Sequence, residues 1–240
     1  MSSEQLAESL PEGQVLTCRA IRIRLSPDQH PWEVANATEI AANWEREIAA
    51  NPALFNGRVT LVSSLAFGEG VLSGVSHEID FATFLFWRKH PDQGWHAFAY
   101  AVPVTADNCL MAIRMGAKTA NPRRVYFAAG SFEAMDFTNG FLDFDANAHR
   151  EALEETGLNM TDAKAETGFQ LLRFGAAIAI FRRYAFLGVK TDDMVRQVEA
   201  FVAADPDPEI EGPVVLRNGA FPSGLTRHAK GVAEWHFSQG

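Results

Sequence analysis

Arg150-Glu151-Ala152-Leu153-Glu154-Glu155-Thr156-Gly157-Leu158 is the stretch that decides the fold of this 240-residue chain. It predicts a helix, which Asp143 or Asp145 can cap, because a short acidic side chain accepts hydrogen bonds from the first turn. Gly157 is expected to end the helix, since glycine adopts the left-handed conformation of a C-terminal cap at little cost. The polar face of this capped helix then determines what chemistry the chain can support.

Three glutamates dominate that polar face. Glu151, Glu154 and Glu155 lie on one side, because residues three and four apart are neighbours on a helix. Like charges at this spacing cost roughly 0.2–0.5 kcal/mol per pair, and Arg150 offsets only part of that cost. A solvated acidic face is one interpretation. The other is a divalent cation, because Mg²⁺ is commonly held by a few carboxylates together with substrate phosphates.

The nine residues resemble the second half of the Nudix box, Arg-Glu-U-x-Glu-Glu-x-Gly-U with U aliphatic, at every defined position if Ala152 counts as aliphatic. The resemblance to the Nudix domain covers about residues 96–240. It implies a Nudix-like α/β/α sandwich whose box binds Mg²⁺ or Mn²⁺ against the diphosphate of a nucleoside-diphosphate-X substrate. It therefore implies a metal-dependent pyrophosphohydrolase, with nucleoside diphosphate sugars or similar compounds as substrates.

The resemblance also implies roles for individual residues. Arg150, Glu151, Glu154 and Glu155 would be catalytic, with Arg150 orienting the carboxylates. The three glutamates would also be metal ligands, and a metal-bound water would attack phosphorus.

The first half of the box departs from the family pattern, which places Gly fourteen residues before the Arg and Glu eight before it. Those positions are Asp136 and Leu142 here. We assign the Gly to Gly130 and include it in the metal site. This assignment leaves a six-residue insertion, expected within residues 136–142. Asn139-Gly140 inside it is a turn signal.

The missing middle Glu leaves two questions open. Glu133, Asp143 or Asp145 is expected to stand in for it. The alternative function is a catalytically degenerate Nudix-fold protein that binds nucleotide or regulates without hydrolysis.

Two further regions of the Nudix part carry candidate residues. Family members often bring one more carboxylate from a loop downstream of the box, and Glu209 and Glu211 precede the next predicted strand. We place Glu209 among the metal ligands and Glu211 among the catalytic residues, although an acidic surface turn explains either one equally well. Arg114 ends the second strand of a predicted hairpin and is a substrate-binding candidate; the alternative is a solvated strand-end arginine.

We divide the chain into an N-terminal α+β extension, residues 1–94, packed on the core, and a Nudix domain, residues 95–240. Residues 15–25 are predicted to form one strand. Residues 52–57, Pro-Ala-Leu-Phe-Asn-Gly, resemble a feature of the UDP-sugar-hydrolysing branch of the family, which implies that Asn56 binds substrate. The alternative is that Asn-Gly only makes a turn, and that the aromatic extension packs the core or forms a homodimer seam.

Composition narrows the class of partner. The chain is 47% hydrophobic and 21% charged with a formal charge of −9, which disfavours capture of nucleic acid or anionic membranes. A small-molecule nucleotide is the expected partner. Cys18 and Cys109 are too few for a disulfide framework, and both are predicted to be buried thiols. The first residues show no signal-peptide pattern and no run suits a membrane helix, so we expect a cytoplasmic protein.

Overall fold

The computed structural model describes residues 6, 8–91 and 93–239, and these form a mixed α/β fold, as predicted. The prediction that the chain lacks a signal peptide concerns its first residues, and residues 1–5 and 7 lie outside the described residues. The strands are β1 (Val15–Cys18), β2 (Ala20–Ser26), β3 (Arg58–Gly68), β4 (Val71–Asp80), β5 (His96–Thr105), β6 (Leu110–Met115), β7 (Val125–Tyr126), β8 (Phe137–Thr138), β9 (Phe141–Leu142), β10 (Lys164–Ala165), β11 (Phe169–Phe174), β12 (Ala177–Phe186) and β13 (Ile210–Leu216). The helices are α1 (Pro31–Ala35), α2 (Ala37–Ala50), α3 (Phe81–Trp87), α4 (Phe144–Thr156), α5 (Thr191–Ala204) and α6 (Arg227–Ser238).

The larger sheet has the order β1-β11-β12-β5-β6-β13, with β10 beside β12 and β7 beside β6. Its centre is the parallel pair β12 and β5, in register from Ala177 opposite His96 to Phe186 opposite Thr105. Most of both strands is buried. Burial on both faces is what a central parallel pair requires, and it explains the nearly continuous apolar sequence of these strands.

Helices α4 and α6 cover opposite faces of this sheet. In β12, Phe181 packs edge-on against Trp235 of α6. Tyr184, three residues along the strand, packs against His149 of α4 and donates its hydroxyl hydrogen to Asp145 at 3.0 Å. Residues an odd number apart in a strand point to opposite faces, so the sheet lies between the two helices as a helix-sheet-helix sandwich.

The smaller sheet, β3-β4-β2-β9-β8, is shared between the two predicted domains. Its strands β2, β3 and β4 come from the first 94 residues, whereas β8 and β9 belong to the box region. Conversely, β1 pairs with β11 of the larger sheet. The division at residue 94 stays a prediction, and backbone hydrogen bonds cross it in both directions.

The prediction of one strand over residues 15–25 is wrong, because the segment is divided between the two sheets. The break is at Arg19, whose main-chain N–H donates to the carbonyl of Gly70 at 2.7 Å. Before it, β1 joins the larger sheet; after it, β2 runs parallel to β4. The periodicity of a single strand could not reveal that its two halves have different partners.

The insertion in the box is a short hairpin. Strands β8 and β9 pair around Asn139 and Gly140, which have φ of 53° and 78°. Positive φ at both central residues is the signature of a tight two-residue hairpin turn. The Leu25 N–H donates to the Gly140 carbonyl at 3.0 Å, so the hairpin extends the smaller sheet beside β2.

The box helix α4 begins and ends as the sequence predicts. The Asp143 side chain, rather than that of Asp145, accepts a hydrogen bond from the Ala146 N–H at 3.1 Å. Gly157 takes a left-handed φ of 68° at the other end. Within the described chain, no helix is both long and apolar enough to cross a membrane.

Gly157→Ala should destabilise the fold more than Gly140→Ala. Both positions have positive φ, which costs an Ala side chain roughly 1–2 kcal/mol. A Cβ at Gly157 would also lie 2.5 Å from Cδ2 of Phe201, whereas a Cβ at Gly140 meets no atom within 4 Å. Urea unfolding of both variants gives the comparison, and equal losses in the free energy of unfolding would show that the contact with Phe201 has no effect.

Candidate active site

The box residues converge on one cavity of about 600 Å³, which we call the carboxylate cavity. Its acidic and basic lining includes all four catalytic candidates of the box, together with Gly130 and the downstream Glu209. These residues are Gly130, Arg150, Glu151, Glu154, Glu155 and Glu209. The cavity therefore unites segments separated by almost eighty residues, and the first 94 residues also contribute Val59 and Phe81 to it.

Glu155 is the most enclosed of the glutamates, with 7% of its surface exposed. Its Oε2 accepts a hydrogen bond from the main-chain N–H of Ala129 at 3.0 Å. That bond ties α4 to the chain segment leading to Gly130. Burial raises the pKa of Glu155 well above its usual value, and the negative charge of Glu151 raises it further. The carboxyl is thus held in a place where its charge is poorly compensated.

Glu151 lies directly against Gly130. A Cβ added at Gly130 would overlap the Glu151 carboxylate, so only glycine permits this approach. Burial raises the pKa of Glu151 to about 7, with Arg150 opposing the shift and the charges of Glu154 and Asp136 adding to it. The assignment of Gly130 as the box glycine agrees with this contact.

Arg150 connects the carboxylates. Its Nη1 lies 2.7 Å from Oε1 of Glu151 and 3.2 Å from Oε2 of Glu154. Its Nη2 lies 3.3 Å from each carboxylate oxygen of Asp136. A planar guanidinium presents its donors in a fixed fork, so Arg150 sets the orientation of two cavity glutamates relative to Asp136.

Asp136 is the buried acid that pairs with Arg150. It stands six residues after Gly130, which is the Gly-to-Glu spacing of the family pattern. Its side chain, 1% exposed, also accepts from Nδ2 of Asn147 at 2.8 Å and from the main-chain N–H of Glu133 at 2.9 Å. Counting forward from Gly130, instead of back from Arg150, would have identified it from the sequence.

The three residues expected to replace the middle Glu have other partners. Asp143 caps α4. Asp145 accepts from Nη1 of Arg182 at 2.7 Å and from Tyr184. Glu133 completes a capping box with Asp136 and lines the carboxylate cavity, where burial raises its pKa. Asp136, rather than any of these, is the acid paired with Arg150.

The two downstream glutamates differ in position. Glu209 lines the carboxylate cavity, and its main-chain carbonyl accepts from the Gly116 N–H at 2.8 Å, which fixes the loop before β13. Glu211 lies where the register of β13 shifts, with Oε1 3.9 Å from Nε of Arg123. It lines a wider neighbouring cleft but not the carboxylate cavity. The structure therefore brings Glu209, and not Glu211, to the box glutamates.

Arg114 and Asn56, the two substrate-binding candidates, do not line the carboxylate cavity. Arg114 donates from Nη1 to the carbonyl of Arg123 at 3.2 Å. The side-chain oxygen of Asn56 accepts from the Ala82 N–H at 2.8 Å, within the first turn of α3. Asn56 thus positions the helix that carries Phe81, a residue of the cavity lining.

The donor set fits a hard divalent cation. Among residues 6, 8–91 and 93–239, no three carboxylate, imidazole or thiolate groups already converge as a metal site. The cavity nevertheless offers carboxylate oxygens from both α4 and the Glu209 loop, the ligands that Mg²⁺ and Mn²⁺ prefer. Burial, and then the neighbouring carboxylates, raise the pKa values of Glu151 and Glu155 there, and a bound cation would offset both effects.

No family model matches this chain, and no curated protein has significant similarity to it. Solved structures that resemble it include a protein from Deinococcus radiodurans, with 14% identity over 67% of this chain and 83% of that one and a TM-score of 0.36. A NUDIX hydrolase from Nitrosomonas europaea has 13% identity over 74% and 86%, with a TM-score of 0.37. A bifunctional NMN adenylyltransferase/ADP ribose pyrophosphatase from Francisella tularensis, complexed with AMP and a Mn ion, has 12% identity over 66% and 46%, with a TM-score of 0.42. These scores and identities are low, so the functional inference rests on the residues of the site.

Without divalent ions, ionisation of Glu151 should reduce the stability of the fold as pH rises from 4.5 to about 7. A carboxyl whose pKa is raised on folding contributes stability below its unfolded value, and that contribution disappears as pH rises through the folded value. For Glu151 this window is 4.5 to about 7, which corresponds to on the order of 3 kcal/mol. In urea unfolding with chelator, Glu151→Gln should gain stability relative to the wild type as pH rises through this window, whereas Glu199→Gln, exposed on α5, should keep the wild-type slope. Parallel slopes for Glu151→Gln and wild type would contradict the prediction.

Proposed function

We propose that this protein is a Nudix-type hydrolase that depends on Mg²⁺ or Mn²⁺ and cleaves the diphosphate linkage of a nucleoside-diphosphate-X compound, such as a nucleoside diphosphate sugar. One observation carries the proposal. The box glutamates, Gly130 and Arg150 line a single cavity despite the six-residue insertion, and Arg150 also pairs with the buried Asp136. An accidental match to nine residues would not require the displaced glycine and the acid six residues beyond it to join the same site.

Each side chain has a role in this proposal. Glu155 is fixed by the Ala129 N–H, and Arg150 orients Glu151 and Glu154. Together with Glu209 they would hold the divalent ion. When bound, the ion neutralises charge on the phosphates and lowers the pKa of a coordinated water.

The alternative of a nucleotide-binding protein without hydrolysis was motivated by the missing middle Glu and the displaced Gly. The pairing of Asp136 with Arg150 and the contact of Gly130 with Glu151 favour the hydrolase over the binding protein. A small-molecule nucleotide remains the proposed partner. Cytoplasmic localisation and a homodimer stay predictions.

Glu155→Gln should abolish most turnover while leaving the fold intact. Glutamine retains an oxygen that can accept from the Ala129 N–H but removes the charge that would bind the ion, so the rate should fall by roughly a hundredfold or more. The assay incubates nucleoside diphosphate sugars, ADP-ribose, NAD(H), dinucleoside polyphosphates and CoA with Mg²⁺ or Mn²⁺ and measures phosphate released by added phosphatase. The control is Glu199→Gln. Hydrolysis of none of these compounds by the wild type would favour the binding protein, and unchanged activity in Glu155→Gln would refute the assignment of the box.

Glu209→Gln and Glu211→Gln should separate the two downstream candidates. Glu209 faces the box glutamates, so its loss should raise the ion concentration for half-maximal turnover by roughly tenfold. Glu211 forms an exposed ion pair with Arg123, and such pairs contribute little. The ion concentration for half-maximal turnover of Glu211→Gln should therefore remain within about twofold of the wild-type value. Metal titrations of turnover on one substrate give the comparison. The reverse ranking would assign the extra carboxylate to Glu211.

A further inference from the structure

A second cavity of about 400 Å³ opens beside the carboxylate cavity, and we call it the aromatic cavity. Its distinctive lining consists of ring-bearing side chains: Phe84, Trp87, His96, Phe98, Tyr100 and His228. Ala129, Gly130 and Ser131 line both cavities. A single bound molecule can therefore extend from the glutamates past Gly130 into the aromatic cavity, whose volume falls in the range of small-molecule sites.

The rings form a connected surface. His96 and Phe98 lie nearly parallel, with centroids 5.2 Å apart. Phe98 also meets Tyr100 and His228 edge-on, at 5.1 Å and 5.3 Å. Phe84 of α3 lies 4.6 Å from His96. Flat heteroaromatic rings bind such surfaces by offset or edge-to-face stacking.

Trp87 adds a specific hydrogen-bond donor. Its side chain lines the aromatic cavity and is 4% exposed, and its indole N–H has no hydrogen-bond partner among the described residues. Buried indole N–H groups usually have an acceptor. A ring nitrogen or carbonyl oxygen on a bound molecule would satisfy this one.

The interior of the aromatic cavity carries no charge near neutral pH. Burial lowers the pKa of His96 to about 3 and also lowers that of His228. Positive charge is present only on the exposed Arg88 and Arg124 in its lining. The cavity thus suits an uncharged ring better than a phosphate or a carboxylate.

Most polar groups in the cavity already have partners within the protein. His96 bonds with Ser131 at 3.1 Å, and His228 bonds with the carbonyl of Ala177 at 3.1 Å. A hexose would bury several hydroxyl groups with few partners left for them, which is unfavourable. A nucleobase has two aromatic faces and few polar atoms, and it matches the ring surface and the unpartnered Trp87 N–H.

We propose that the aromatic cavity binds the base of a nucleotide, with α3 as one wall and the Trp87 N–H donating to an acceptor on the base. Placing the phosphates of the same nucleotide at the glutamates rests on the proposed function. The N-terminal segment would then contribute to substrate recognition through Trp87 and its neighbours on α3, while Asn56 acts only by capping that helix.

Binding of uncharged nucleosides to the metal-free protein tests this proposal without requiring hydrolysis. Adenosine, uridine and cytidine are titrated against ¹⁵N-labelled protein, with ribose as the base-free probe, and the indole N–H resonances of the five tryptophans are followed. At least one nucleoside should shift the Trp87 resonance, and ribose should not. Trp87→Phe keeps a ring but removes the N–H, so the dissociation constant of that nucleoside should rise by roughly two- to tenfold.

Trp32→Phe is the matched control. Trp32 stacks on Phe86 at 5.4 Å in the same segment but does not line the aromatic cavity, so this variant should bind nucleoside as wild type does. Equal weakening by both variants, an equal shift with ribose, or no shift with any nucleoside would overturn the proposal. If Trp87→Phe does not fold, sequential assignment of the Trp87 resonance in the wild-type protein decides the same question.

The outcome is separable from that of the proposed function. Nucleoside binding at Trp87 without hydrolysis of any diphosphate compound would support the proposed base site and contradict the proposed hydrolase activity. Hydrolysis with an unchanged KM in Trp87→Phe would keep the hydrolase and reject the base site.

Discussion

The ion pair between Arg150 and Asp136 is the interaction on which the site depends. Asp136 is almost completely buried, and breaking a buried ion pair by removing one partner costs roughly 3–5 kcal/mol. The same guanidinium contacts Glu151 and Glu154. A single arginine therefore fixes the middle of the box helix against the preceding loop and sets the direction of two cavity carboxylates. Losing it would affect both the local fold and the geometry of the site.

This pair also explains why the box tolerates an insertion. The additional residues follow Asp136, and the Asp143 N–H donates back to the Asp136 carbonyl at 2.8 Å. The chain thus leaves and re-enters the site at nearly the same point, and lengthening a loop with fixed ends costs little entropy. The inserted hairpin pairs with β2 through Arg24 and Phe141. The insertion consequently attaches the N-terminal segment to the region of the site without displacing Gly130.

Local features were predictable from the sequence, and features set by distant partners were not. The capped box helix and the turn at Asn139-Gly140 follow from residues only a few positions apart. The strand break at Arg19 depends on the Gly70 carbonyl, fifty-one residues away. The role of Asp136 was present in its spacing from Gly130, but its pairing with Arg150 became visible only in three dimensions. The aromatic residues of α3 were expected to pack, and periodicity does not distinguish packing from lining a cavity.

The cavity glutamates are held together against their own repulsion in a chain whose formal charge is already −9. On a solvated acidic face the side chains would separate into water. Here the Ala129 N–H and the fork of Arg150 oppose that separation, and the absence of a side chain at Gly130 leaves room for the Glu151 carboxylate. Residues whose local interactions reduce the stability of the fold are expected at binding and catalytic sites. These two contacts and the space at Gly130, more than the number of acidic residues, therefore distinguish this helix from an ordinary charged surface helix.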